Sequence, residues 1–150
     1  MKVKIEDIKK LREETGAGVA DCRMALEETG GEMKKAREWL LKKGIERADK
    51  KSGREVNAGM VFAYVHHTGR LGALAAVACE TDFVAKTEDF QKLGRELALL
   101  AAAGQPKGIE EFLLQESARE PGRKIAELIS EVVSKLGENI RVLDIKIVKV

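Results

Sequence analysis

The spacing of apolar residues in this 150-residue chain first changes at Gly59, and that change restricts the folds open to it. Upstream, apolar residues recur every three or four positions, as one face of a helix requires. Downstream, Met60-Val61-Phe62-Ala63-Tyr64-Val65 is a run of β-branched and aromatic residues whose side chains alternate between two sides. The spacing predicts a helical N-terminal part followed by a part built on a sheet.

In the first part, Ile5, Ile8 and Leu11 share a face before Thr15-Gly16-Ala17-Gly18 interrupts the run. Val19, Cys22, Ala25 and Leu26 repeat the pattern up to Gly30-Gly31. Met33, Ala36 and Leu40 form a third stripe, with Gly44 expected to end the helix after Lys42 and Lys43. Three short helices make a core close to the lower size limit for independent stability, and leave no room for a deep active site. Residues 1–45 are therefore expected to be a three-helix docking module. The charged stretch 46–56 is expected to be a linker, its first half compatible with helix. Its basic residues, with Lys42, Lys43, Arg47, Lys50, Lys51 and Arg54 in the cluster, lack interleaved aromatic side chains for base stacking, so a solvated helix end is the simpler reading.

Residues 57–150 form the second part. The strand at 60–65, the turn His66-His67-Thr68-Gly69-Arg70 and the returning run Leu71 to Cys79 predict a β-hairpin. Adjacent strand residues point to opposite faces, so His66 and His67 cannot chelate one ion while the strand persists. Three helices are expected next. The first starts at the N-cap Thr87 and carries Phe90, Leu93, Leu97 and Leu100; a short second one carries Ile109, Phe112 and Leu113. The third carries Ile125, Leu128, Ile129, Val132 and Leu136 and closes at Gly137, before a last strand from Ile140 to Val148. The fold class that follows is α+β, with a three-stranded antiparallel sheet and helices on one side. Both sides of the first strand are apolar, with Val61, Ala63 and Val65 opposite Met60, Phe62 and Tyr64. The helices cover one side, and a second copy of the chain is expected to cover the other.

Composition narrows the function. A formal net charge of +2 sets up no strong field towards nucleic acid or membrane. The N-terminus MKVKIEDIKK has no apolar core of a signal peptide, and no apolar run approaches the ~20 residues of a membrane helix. The 2 Cys stand far apart, without zinc or disulfide spacing, and fit two buried reduced thiols in a cytoplasmic protein. Ser52, Ser117, Ser130 and Ser134 lack a nucleophile elbow, and neither a Walker loop nor a dinucleotide fingerprint is present. No catalytic residues, metal or cofactor are expected. The chain is expected to act by binding rather than as an enzyme.

One stretch stands apart. In Ala78-Cys79-Glu80-Thr81-Asp82-Phe83-Val84-Ala85-Lys86 an apolar strand ends and one of only 4 Phe follows between charged residues. Phe83 is either a core anchor that folds back or a side chain meant for another molecule, and the flanking Glu80, Asp82 and Lys86 favour the second.

Three motifs carry a family resemblance. Leu11-Arg12-Glu13-Glu14-Thr15-Gly16-Ala17-Gly18 with Asp21-Cys22-Arg23-x-Ala25-Leu26 resembles the N-terminal signature of translation elongation factor Ts. Glu80-Thr81-Asp82-Phe83-Val84-Ala85-Lys86 resembles the second signature of that family, and Lys135-Leu136-Gly137-Glu138-Asn139-Ile140 a third. They stand in family order and span nearly the whole chain. The resemblance implies a ubiquitin-associated-like module followed by a core domain that grips elongation factor Tu and promotes release of its GDP. It implies a short form with a single core subdomain and no coiled-coil hairpin, which favours a homodimer. It places Thr81, Asp82, Phe83 and Val84 at the magnesium site of the GTPase, with Leu136 and Gly137 in a neighbouring contact loop. Leu11, Arg12, Val19 and Ala20 would dock on the nucleotide domain. No membrane and no direct nucleic-acid contact are implied. The competing readings are a three-helix adaptor and a small RNA-binding protein that uses the basic cluster.

Overall fold

A computed structural model describes residues 2–150. Three helices come first: α1 (Ile5–Thr15), α2 (Val19–Glu28) and α3 (Met33–Lys51). Strands β1 (Ala58–Val65) and β2 (Leu71–Cys79) form the hairpin. Four helices follow, α4 (Asp82–Ala85), α5 (Glu88–Gly104), α6 (Ile109–Leu114) and α7 (Ile125–Leu136), and β3 (Ile140–Lys149) closes the chain. The class is α+β, as expected, with an antiparallel sheet in the order β1-β2-β3. Spacing alone misses α4, because a single turn is too short to show a helical period.

The buried residues form two separate cores. Leu11, Cys22, Ala25, Leu26 and Ala36 are fully buried among the first three helices, with Ile8, Met33, Trp39 and Leu40 around them. The larger core lies between the sheet and the later helices, where Phe90, Leu97, Phe112 and Ile125 are enclosed. Thr87 caps α5 by accepting from the Phe90 N–H at 3.3 Å, and so occupies the N-cap expected of it. The Phe62 ring of β1 packs directly on α5 because residue 94 is glycine; a Cβ there would sit 2.1 Å from the ring.

The stop expected at Gly44 is not observed. A glycine costs a helix interior only about 1 kcal/mol relative to alanine, and packing overrides that. Gly44 is buried against α7, facing Ser134, and α3 runs on to Lys51. The first half of the 46–56 stretch is thus continuous helix.

His66 and His67 lie in the turn, as expected. Because β1 ends at Val65, their side chains do not diverge to opposite faces as strand residues would; their ring centroids are 4.1 Å apart. His66 Nδ1 is within hydrogen-bonding distance of the Tyr64 hydroxyl, at 3.0 Å.

One side of the sheet is covered and the other is open. Phe62, Ala73, Ala75, Val77 and Cys79 face the helices. On the opposite side, Val61 pairs with Ala76, Ala63 with Leu74 and Val65 with Gly72, next to Val148 of β3. Val61, Val65, Leu74 and Val148 are all exposed.

Candidate partner-binding surface

The site begins where β2 runs out. The Cys79 thiol, fully buried, donates to the Thr81 carbonyl at 3.2 Å and turns the chain. Burial pushes this thiol above its ordinary pKa, with the carboxylates of Glu138 and Asp82 adding to the rise, so it stays protonated. Thr81 then caps α4, its hydroxyl oxygen accepting from the Val84 N–H at 3.3 Å.

A single helical turn decides which side chains point outwards. Val84 and Ala85 enter the core, while Thr81, Asp82 and Phe83 remain outside. Phe62, Phe90 and Phe112 are buried, but Phe83 is 87% exposed. Phe83 is therefore not a core anchor here. Of the four residues assigned to this element, Val84 supports the turn from beneath and cannot offer its side chain to a partner without the turn opening.

A second loop lies against this turn. The Glu138 carboxylate accepts from the Thr81 N–H at 3.0 Å through one oxygen and from the Thr81 hydroxyl at 2.7 Å through the other. Next to it, the Asn139 N–H donates to Glu80 at 2.8 Å, and the nearly fully buried Asn139 amide donates to the Arg54 and Ser52 carbonyls at 2.8 and 3.4 Å. Arg54 also approaches Glu80, at 3.5 Å. Leu136, half-buried, and Gly137, exposed in the left-handed conformation that ends α7, precede this loop. The geometry thus brings 81–83 beside 136–137.

The third group is split. Arg12, Val19 and Ala20 are exposed at the end of α1 and the start of α2, but Leu11 is wholly enclosed in the small core. Leu11 acts on any partner only through the helix it holds. The turn between α1 and α2 reaches α7: a Cβ on Gly16 would be 3.4 Å from the Lys135 ammonium. A cleft of about 590 Å³ lies between these elements, with Gly16, Asp21, Arg47, Ser134 and Lys135 on its walls. Asp21 and Arg47 join across it in two hydrogen bonds of 2.8 Å. The hydrogen bond to Arg47 holds the Asp21 carboxyl below its usual pKa, against the opposing effect of burial.

Spacing alone did not find Glu138, Asn139 or Arg54 as the frame of the site. Thr81 and Glu138 are 57 positions apart, and no local periodicity links them. Their one local signal is a polar pair, Glu138-Asn139, set between a helix-ending glycine and a strand.

The family model described as "Elongation factor TS" matches residues 80–150, the segment that holds the 81–84 turn and the 136–139 loop. The protein "Elongation factor Ts" of Aquifex aeolicus is 46% identical over 146 residues, covering 94% of this chain and 50% of that one. This chain therefore spans half the length of that relative. The Thermotoga petrophila protein of the same name is 38% identical over 185 aligned positions, covering 95% of this chain and 93% of its own. That of Leptospira biflexa is 44% identical over 140 residues, covering 93% and 71%. With these two relatives matched over most of both chains, and with the second and third motifs joined at one turn, the chain belongs to the elongation factor Ts family.

Proposed function

We propose that this protein is a guanine-nucleotide exchange factor for elongation factor Tu and works by binding alone. The observation that carries the proposal is Phe83, 87% exposed on a turn fixed by the hydrogen bonds of Thr81 and the burial of Val84 and Ala85. An exposed aromatic on a fixed support costs little conformational entropy when it inserts into a partner. GTPases hold their nucleotide partly through Mg²⁺ bridging phosphate and protein oxygens. A phenyl ring wedged beside that ion would displace the elements that hold it, with Asp82 accepting hydrogen bonds in the displaced arrangement. Arg12, Val19 and Ala20 would dock on the nucleotide domain, and Leu136 and Gly137 would contact it beside the wedge. By linkage, a factor that binds the nucleotide-free GTPase more tightly weakens GDP by the same ratio that GDP weakens the factor.

The RNA-binding reading is less favoured, because half of the basic cluster is paired with carboxylates of the chain itself. Arg47 pairs with Asp21, Lys43 with Glu46 and Arg54 with Glu80. A homodimer is the second part of the proposal, with the outer sheet face of each copy covering the other.

The test is fluorescence-detected release of labelled GDP from elongation factor Tu. Addition of the protein should accelerate release in a saturable manner. An unchanged release rate at saturating protein would refute the proposal, and salt-sensitive RNA binding in its place would favour the RNA reading.

A further inference from the structure

We propose that Glu138 is the positioning residue that keeps the Phe83 turn in its binding-ready shape, an inference that rests on the exchange-factor reading above. α4 has only four residues, and one helical turn does not sustain itself in water, because nucleation is unfavourable. Its shape must be imposed from outside. The Glu138 carboxylate does this by accepting both donors of Thr81, the backbone N–H at 3.0 Å and the hydroxyl at 2.7 Å. Directing the hydroxyl proton to the carboxylate turns the oxygen lone pairs towards α4, where one accepts from the Val84 N–H. Glu138 thereby acts on Phe83 through Thr81 and the cap. The anchor itself is firm: its neighbour Asn139 is 3% exposed and tied to Ser52, Arg54 and Glu80. Bonds to an ionised acceptor are the stronger kind, and these two join the loops that carry Phe83 and Gly137 into one unit.

The test uses Glu138→Ala, Glu138→Gln, Phe83→Ala and the Glu138→Ala/Phe83→Ala double variant. Each is measured for maximal GDP release rate, half-saturating concentration and amide hydrogen exchange at Thr81 and Val84. Loss of both bonds should lower the maximal rate about tenfold, with little change in half-saturation, because docking elsewhere on the surface is untouched. The Thr81 and Val84 amides should exchange faster. A glutamine accepts from the Thr81 N–H and donates to the hydroxyl oxygen, so Glu138→Gln should restore most of the rate. If Glu138 acts through Phe83, the double variant should be no slower than Phe83→Ala alone. Multiplying losses in the double variant, a normal rate for Glu138→Ala, or unaltered amide exchange would each overturn the proposal. Should the unmodified protein itself fail to release GDP, the exchange-factor reading falls. The amide exchange then decides whether Glu138 holds the turn: faster exchange upholds that role, and unchanged protection overturns it.

Discussion

At the scale of single residues, the Asp21–Arg47 pair joins α2 to α3 with two parallel hydrogen bonds. Its contribution is about 0.5–1 kcal/mol once the partly exposed guanidinium is discounted for solvent screening. The Asp21 carboxyl is held below its ordinary pKa in the folded protein, so the unfolded chain binds its proton more readily. The stabilisation is therefore complete above the unfolded carboxyl's value, about pH 4, and is lost as pH falls through the lower folded value. Asp21→Asn should be less stable than the unmodified protein in urea at pH 7, and the gap should narrow at pH 3. A gap that stays constant over that range would mean the ion pair is not its source. Residue identity was legible where chemistry alone decides, as in the cap at Thr87 or the apolar faces of Leu26 and Phe90. It was not legible at Val84, which stands in a motif assigned to partner contact and is shown only by the three-dimensional turn to point inwards. Leu11 carried two conflicting signals, an apolar helix face and a contact motif, and its burial bears out the first.

At the scale of elements, two helix glycines illustrate opposite packing outcomes. Gly44 faces Ser134 across the α3–α7 contact with its would-be Cβ 3.7 Å away, an ordinary contact distance. Gly44→Ala should therefore keep the fold and raise stability by up to about 1 kcal/mol through helix propensity. Gly94 has no such room, since its would-be Cβ lies 2.1 Å from the Phe62 ring. Gly94→Ala should destabilise the core by about 1–3 kcal/mol as Phe62 is forced aside. Denaturant melts of both variants check the pair, and equal effects would contradict the packing described. Sequence periodicity located every long element but misjudged the end of α3, because a glycine read in isolation looks like a terminator. The α7 face that keeps the helix going comes from residues far along the chain. In β3, Ile140 and Val142 face inwards, as do Ile145 and Ile147 on the other parity. The structure absorbs that phase slip as a register irregularity opposite Ala76 and Val77, which the expected strand from Ile140 to Val148 did not include.

At the scale of the whole molecule, the outer face of the sheet is the feature that a single copy leaves unresolved. Val61, Val65 and Val148 are each about two-thirds exposed or more, at 65%, 69% and 71%, with Leu74 between them. Water-facing sheet surfaces ordinarily carry polar side chains, so this face is proposed to bury itself against a second copy. Sedimentation at ~20 µM, well above usual interface dissociation constants, should give a dimer, and Val61→Lys should shift it to monomer. A monomer throughout would reject the interface. Phe83 is the side chain on which the proposed exchange activity turns, and GDP release from elongation factor Tu driven by Phe83→Ala tests it. Burial of that ring only in the nucleotide-free complex contributes about 2–3 kcal/mol, so the variant should be roughly 30- to 150-fold slower than the unmodified protein. Its melting temperature should be unchanged, because the side chain is 87% exposed in the free protein. Release at the normal rate, or a variant that no longer folds, would contradict the account.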